Sequence, residues 1–166
     1  MNIFYTDHDP AIAAQSLPDK HIVKMPVETV QMLVSALVRW DLQPNVVTKA
    51  GTIHKGGYHK HPSTVWAGDN RENAWWLLRH GFALCAEYTK RYGKVHFAEG
   101  QLRTILDSKL VGELPAGPLT PPAQAMPDEF KHADPVMAYR ACIRGKVDSK
   151  PDSFVWRKGT PAPSWL

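Results

Sequence analysis

The chain has 166 residues, is 43% hydrophobic and 22% charged, and carries a net charge of +4, so it has the length and composition of a globular protein with its own core. No apolar run reaches the roughly 18 residues of a membrane-spanning helix, and the beginning, MNIFYTDHDP, lacks the basic and apolar regions of a secretion signal. We therefore expect no membrane association and a cytoplasmic location. The two cysteines, Cys85 and Cys142, are too far apart for a metal motif and are expected to be buried thiols.

The first elements predicted are a short extended segment at residues 3–5 and a long helix. Ser16 or Asp19 can cap this helix, which runs to about Trp40. Pro26 lies in its interior, where a proline removes a hydrogen bond and costs about 3 kcal/mol, so we expect a kink or a restart there. A basic loop with several glycines follows the helix.

A second long helical pattern follows this loop. It begins at Ser63, which can act as its cap, and ends at Gly93, in the position just after the last turn. A break near Gly68 is possible. Five of its side chains recur at helical spacing and are expected to face the core rather than a cofactor: Trp75, Leu78, Phe82, Cys85 and Tyr88.

The remaining sequence predicts two shorter helices joined by a proline-rich connector. The first covers about residues 98–110, and the stretch GELPAGPLTPPAQAMPDE is too rich in proline for regular structure. Asp134 and Pro135 form a cap and first-turn pair for a last helix that ends near Gly145. Neither an internal repeat nor a strand pattern is visible. We therefore predict a compact all-α protein, a single domain over residues 1–166 with about four helices and long loops.

Basic residues are unevenly distributed along the chain. No acidic residue occurs between Gln43 and Gly68, although three lysines do. A second basic cluster near the C-terminus is opposed by only two aspartates: Arg140, Arg144, Lys146, Lys150, Arg157 and Lys158. Two basic patches on a small protein favour a polyanionic partner. The alternative is that these are ordinary solvated surface side chains.

The first long helix has a narrow polar seam. At 100° per residue, its polar side chains fall within an arc of roughly 80° and nearly everything else around the helix is apolar: Lys24, Glu28, Gln31, Ser35 and Arg39. Such a helix is mostly buried, with its seam facing a cleft or another polar element. Glu28 is therefore a candidate for a partly desolvated carboxylate. The alternative is a Lys24–Glu28 pair that only stabilises the helix.

Two stretches carry a family resemblance. HIVKMPVETVQML, preceded by Asp19, resembles the first-helix signature of the pyrimidine-dimer DNA glycosylases of the phage endonuclease V type and their bacterial relatives. HPSTVWAGDNRENAWWLLRHGFALCAEYTKRYG is similar to a second pattern of that family through His61, Pro62, Trp66, Cys85, Glu87, Tyr88, Arg91 and Gly93. FKHADPVMAYR and the terminal PSW resemble later family segments more weakly.

This resemblance implies an all-helical domain that binds double-stranded DNA, displaces a base, cuts the glycosidic bond with a primary amine and breaks the strand by β-elimination. In the family the amine is the N-terminus and a helix glutamate assists, and Met1 and Glu28 stand in those places. His21 matches a position near the DNA, and Lys24 and Gln31 are further candidates for catalysis or DNA contact. We expect a monomer without cofactor or bound metal, and a phage protein acting in the host cytoplasm fits the resemblance.

Acid–base chemistry favours Met1 over Lys24 as the amine. An α-amino group with a pKa of about 7.8 loses its proton at pH 7 for ~1 kcal/mol, whereas a free lysine at ~10.4 needs ~4.6 kcal/mol. Residue 2 is Asn, not the small residue that allows the initiator methionine to be trimmed, so Met1 is expected to stay. The segment before Asp19 is also longer than in the phage pattern. A site that lacked its amine would leave a DNA-binding protein or a changed reaction.

The loop HKGGYHKHP is a candidate DNA contact, because its glycines allow close approach, its basic groups suit phosphates and its tyrosine offers a ring for stacking. The predicted DNA-binding residues are Lys55, Tyr58, His59, Lys60 and His61, together with Arg140 and Arg144. A metal site at His54, His59 and His61 is a weaker alternative. Two further alternatives are a non-catalytic nucleic-acid-binding protein and an enzyme that acts on modified pyrimidines.

Overall fold

The computed structural model describes all residues from 1 to 166 and is built from helices and loops, as the sequence predicts. Its six α-helices exceed the four predicted: α1 Pro10–Gln15, α2 Asp19–Val38, α3 Pro62–Asp69, α4 Arg71–Tyr92, α5 Phe97–Asp107 and α6 Pro135–Ser149. The sheet-like structure is limited to one bridge between Val47 and Ile53. No helix has both the length and the apolar character needed to cross a bilayer.

The two additional helices have identifiable causes. The long pattern from residue 63 to 93 is divided at Asn70, whose extended backbone ends α3 and whose side chain accepts a hydrogen bond from Asn73 N to start α4. The other addition, α1, is too short for a periodic signal. Its start is nevertheless marked by an Asp9–Pro10 pair, the same cap and first-turn signal that begins α6 at Asp134.

Two predicted helix caps and the predicted restart at Pro26 were wrong. The cap position of α2 is Pro18, and neither Ser16 nor Asp19 caps it by a side chain. Pro26 lies inside α2 without ending it. The cap of α3 is His61, whose Nδ1 accepts from Ser63 N.

The last helix also runs past its predicted end at Gly145. This glycine lies inside α6 because Phe130 packs directly against it, and an added Cβ would lie 2.5 Å from the Phe130 ring. A glycine required for close packing was therefore mistaken for a helix stop.

Helix α2 is the central element of the core and packs against α3, α4 and α5. A single cluster of 31 buried hydrophobic residues joins these helices to the N-terminal segment and α6. Of the five α4 residues predicted to face the core, Leu78 and Cys85 are fully buried, and the other three are partly buried against it. Both cysteines are buried free thiols, as predicted.

A buried ionic network joins α2, α4 and the C-terminal segment. The Arg91 side chain is 0% exposed; its Nε lies 2.8 Å from Glu87 Oε1 and its Nη1 lies 3.0 Å from Asp19 Oδ1. Arg157 N donates to Asp19 Oδ2, and the Thr160 hydroxyl donates to Glu87. The chain beyond α6 is therefore held against the beginning of α2.

Candidate active site

The beginning of the chain folds back onto α2. The Asn2 side chain accepts hydrogen bonds from the backbone N–H groups of Ile3 and Phe4 and donates one to Ala125 O. Phe4 has a φ of 47°, so the segment predicted to be extended turns sharply instead. The Met1 side chain is 1% exposed, and Thr64 donates a hydrogen bond to its sulfur. The turn and the anchored methionine fix the terminal amine in place.

This fold-back brings the terminal amine to Glu28. Met1 N lies 3.8 Å from Glu28 Oε2, and Asn2 N donates to the same oxygen at 3.1 Å. The other oxygen of Glu28 lies 2.9 Å from Lys24 Nζ. The Glu28 side chain is 10% exposed, whereas that of Lys24 is 64% exposed. One largely buried carboxylate therefore lies beside two primary amines, of which the α-amine is the more enclosed.

The polar seam of α2 divides into two parts. Lys24, Glu28 and Gln31 line cavities at the surface. Further along the helix, Ser35 bonds to the backbone of Gly57 and Arg39 pairs with Asp69. The first part thus faces clefts, as the pattern predicts, while the second part fixes the loop and α3. The Lys24–Glu28 helix pair of the alternative interpretation is present as well.

Two neighbouring cavities lie near the Met1–Glu28 pair. The first, of about 320 Å³, contains Met1, Glu28 and Cys142 in its lining. The second, of about 400 Å³, has no carboxylate in its lining and is surrounded by four lysines: Lys20, Lys24, Lys146 and Lys150. His21, Lys24 and Lys146 line both cavities. The cavity that contains Met1 and Glu28 therefore shares three lining residues with a cationic pocket suited to a phosphate.

His21 lines both cavities, and its imidazole is neutral at pH 7. Its ring packs edge-on against Phe4 and at a tilt against Phe154, with centroid distances of 4.8 and 4.9 Å. Burial, followed by the charges of Lys146, Lys24 and Lys20, lowers its pKa to about 4. Nδ1 is buried and has no hydrogen-bond partner. This nitrogen is enclosed by protein atoms, although the residue lines both cavities.

The loop HKGGYHKHP, residues 54–62, is called the glycine loop below and also lies next to Met1 and Glu28. Met1, Lys24, Glu28, Gln31, Val27 and Tyr58 line a third cavity of about 360 Å³. Lys55, Tyr58, His59 and Lys60 are exposed on this loop. The pKa of His61 is lowered, first by burial and then by the charge of the terminal amine, while Glu28 opposes the shift. The charges of the terminal amine and of Glu28 therefore both affect the pKa of His61.

The other predicted basic residues lie elsewhere. Arg140 donates to Thr6 O and pairs with Asp7, and Arg144 donates to Trp165 O. Neither arginine lines the cationic pocket or the cavity that contains Met1 and Glu28, and their contact with DNA stays a prediction. No three His, Cys, Asp or Glu side chains converge as metal ligands, the histidines of the glycine loop included.

The lysines of the cationic pocket were largely missed as site residues. Lys146 and Lys150 belong to the basic cluster that the sequence shows, but Arg140 and Arg144 were chosen from it. On α6, Lys146 lies roughly 140° around the helix from the middle of the arginine pair, at 100° per residue, and Lys150 follows directly after the helix. Both pairs have helical spacing, so the sequence alone does not tell which of them faces the site. Lys20, on α2, gave no signal except its position next to His21.

The comparisons with known proteins agree with the motifs. A family model described as pyrimidine dimer DNA glycosylase matches residues 1–99. The matched region contains Met1, His21, Glu28 and the glycine loop, whereas α6 and the C-terminal segment lie beyond it. No curated protein and no solved structure shows a significant match to the chain.

Proposed function

The chain belongs to the pyrimidine dimer DNA glycosylase family, and from this premise we propose that it excises a damaged pyrimidine from duplex DNA with its own N-terminal amine and then cleaves the strand as an AP lyase. The observation that carries the proposal is the 3.8 Å approach of Met1 N to a Glu28 carboxylate that is 10% exposed. Asn2 N is nearer to this carboxylate but is an amide nitrogen, which is not nucleophilic.

In the first step the unprotonated Met1 amine attacks C1′ of the deoxyribose. The C1′–N bond to the base breaks, and its electron pair leaves with the base, which takes up a proton. The sugar ring then opens to a protonated imine between C1′ and the amine. Glu28 supports this step in two ways, since it can accept the proton that the amine loses and its charge stabilises the cation that forms.

In the second step a proton leaves C2′ and its electron pair expels the 3′ phosphate, which breaks the strand. Water then hydrolyses the imine and frees the amine. Lys24 is less suited to begin the sequence, because its 64% exposed ammonium is solvated and held by Glu28 at 2.9 Å. Its position supports a different role, which is to hold a phosphate together with Lys146 in the cationic pocket.

The DNA would lie across the amine between two basic regions. On one side are the lysines of the cationic pocket, and on the other is the exposed loop with Lys55, His59 and Lys60. Gln31 offers polar atoms to the nucleotide from the cavity that it lines with Met1 and Glu28, and His21 lines the other two cavities. Lysine contacts to phosphate supply affinity and register, whereas contacts within the cavities select the nucleotide.

Borohydride trapping tests the proposal. The protein is incubated with ultraviolet-irradiated duplex or abasic duplex, and the imine is reduced to a stable adduct. We expect an adduct that peptide mapping assigns to Met1, and a Glu28→Gln variant that forms it about 100-fold more slowly while its DNA affinity is kept. Glu99→Gln, a change of the same type on α5, serves as the matched control and should behave as wild type.

Other outcomes would replace the proposal. An adduct on Lys24 would assign the chemistry to a different amine. Specific binding without any adduct would favour a non-catalytic DNA-binding protein, and an adduct formed only with modified pyrimidines would change the substrate. Cleavage that stops when a chelator is added would indicate a metal nuclease.

A further inference from the structure

Tyr58 is the most exposed aromatic side chain of the protein. It is 67% exposed, compared with 46% for Phe97 and 43% for Trp40. An aromatic ring this open to water is not held there by packing, because leaving it exposed forgoes most of its burial free energy. Its backbone is also in the left-handed region, with a φ of 56°, where a bulky side chain is uncommon and the conformation must be imposed by its surroundings.

The surroundings that impose this conformation are the residues just before Tyr58. Gly57 N donates to Ser35 Oγ, which in turn donates to Gly57 O, at 2.8 and 3.0 Å. Gly56 lies so close to α2 that an added Cβ would be 2.2 Å from Ser35 Oγ. On the far side, His61 N donates to Tyr58 O. The ring is therefore exposed, but its backbone is attached to the same helix that carries Glu28.

Tyr58 also lies close to the reacting groups. Its side chain and those of Met1 and Glu28 line one cavity, and Val27, which is 41% exposed, adds an apolar surface to the same lining. The neighbouring loop residues Lys55, His59 and Lys60 are basic and exposed. An exposed aromatic ring that is flanked by basic side chains suits insertion between stacked bases. The ring can stack on the bases while the basic side chains bind the phosphates.

We propose that Tyr58 is the wedge of this protein, the side chain that enters the base stack beside the nucleotide whose sugar the Met1 amine attacks. This inference rests on the proposed function, because it assumes that the sugar attacked by the amine belongs to DNA. A displaced nucleotide leaves a gap in the stack, and an aromatic ring recovers part of the lost stacking free energy. The fixed backbone matters because a ring that moved freely would lose conformational entropy on insertion.

Fluorescence of 2-aminopurine measures the insertion without any chemistry. The probe is placed beside a non-cleavable tetrahydrofuran abasic analogue in duplex DNA, and protein is added. Wild-type protein and Tyr58→Phe should change the emission alike, because both rings stack, whereas Tyr58→Ala should leave it close to that of free DNA. Phe97→Ala removes an exposed aromatic that lines none of the three cavities around Met1 and Glu28, and it should match wild type.

The second measurement separates duplex opening from chemistry. Tyr58→Ala should excise dimers from duplex DNA about 10- to 100-fold more slowly, since base–aromatic stacking is worth roughly 1–3 kcal/mol. Its borohydride trapping on a preformed abasic site in single-stranded DNA should equal that of wild type, because no stack has to be opened. A duplex excision rate and a fluorescence change in Tyr58→Ala that both equal those of wild type would overturn the wedge. Failure of wild type to trap any abasic DNA would overturn the proposed chemistry instead, and the fluorescence would still decide the wedge.

Discussion

Asn2 and Glu28 are joined by a hydrogen bond from a backbone N–H to a carboxylate oxygen, at 3.1 Å, between residues 26 positions apart in the chain. This bond and the terminal amine share Glu28 Oε2. The position of the amine therefore depends on how the second residue is held, and the Asn2 side chain makes three further hydrogen bonds that hold it.

Asn2→Leu should separate the amine from Glu28. Leucine cannot replace the amide hydrogen bonds to Ile3, Phe4 and Ala125, and it is large enough to keep the initiator methionine in place. We expect the rate of borohydride trapping to fall at least about 10-fold, and the free energy of unfolding to fall by about 1–3 kcal/mol because buried N–H groups lose their partners. Asn45→Leu, at an exposed position, is the control. Trapping at the wild-type rate in Asn2→Leu would show that the amine needs no such anchor.

The sequence predicts one half of this relationship and not the other. The placement of Glu28 follows from helical periodicity, which is local and strong in α2. The placement of Met1 depends on the turn at Phe4 and on a hydrogen bond from Asn2 to Ala125, 123 residues away. No local pattern encodes such a contact, so the sequence suggested the amine only through the family resemblance.

The same distinction holds for the rest of the fold. Helix signals within a few residues, such as Asp134 before Pro135, were interpreted correctly. Tertiary packing decides which basic residues of α6 and its C-terminal end line the cationic pocket. It also decides the return of the C-terminal segment to Asp19. Gly145 shows the limit clearly, because a glycine that stops a helix and one that admits a neighbouring ring look alike in sequence.

Lys146→Ala and Lys150→Ala should each reduce the salt dependence of DNA binding. Both side chains line the cationic pocket, which lacks any carboxylate. Each phosphate contact that is lost lowers the slope of log K against log salt by about 0.9 for duplex DNA. Binding titrations at several salt concentrations measure this slope. Lys94→Ala, which changes an exposed lysine after α4, should leave the slope unchanged. Wild-type slopes in Lys146→Ala and Lys150→Ala would show that the pocket does not contact DNA.

The free energy of unfolding should rise as the pH increases from 4 to 6.5. Burial lowers the pKa of both His21 and His80 to about 4, below the unfolded value of about 6.5. Between these values the unfolded chain binds more protons than the folded protein, so stability increases with pH through this window and is lost as the pH falls. Denaturant unfolding at a series of pH values measures the slope.

His80→Gln isolates one contribution to this slope. His80 stacks on Trp76 and its Nδ1 contacts Pro10 O, whereas its Nε2 is buried without a partner. The variant should have a slope smaller by up to about 1.4 kcal/mol per pH unit between pH 4 and 6.5. Above pH 7 the curves of variant and wild type should run parallel. An identical slope inside the window would mean that His80 binds protons equally in the folded and unfolded states.

Arg91→Met should destabilise the protein by about 3–5 kcal/mol, because it leaves the buried carboxylates of Asp19 and Glu87 without their shared cation. In wild type, burial raises the pKa of Glu87, but hydrogen bonds from Thr160 and Arg91 outweigh it and lower the pKa overall. That carboxylate therefore stabilises the fold above its unfolded pKa, and the stabilisation is lost as the pH falls. Without Arg91, its hydrogen bond and its charge no longer lower the pKa of Glu87, so the variant should lose less stability than wild type on acidification.

Arg91→Lys distinguishes lost charge from lost geometry. Lysine keeps the positive charge but lacks the planar group that reaches Glu87, Asp19 and the carbonyl groups of Gln15 and Leu17 together. Its unfolding free energy, measured with denaturant, should fall between those of wild type and Arg91→Met. Because the same network holds Arg157 and Thr160, limited proteolysis should cut the C-terminal segment faster in both variants. If the free energy of unfolding of Arg91→Met falls by less than about 1 kcal/mol, the network contributes no more to stability than a surface ion pair does.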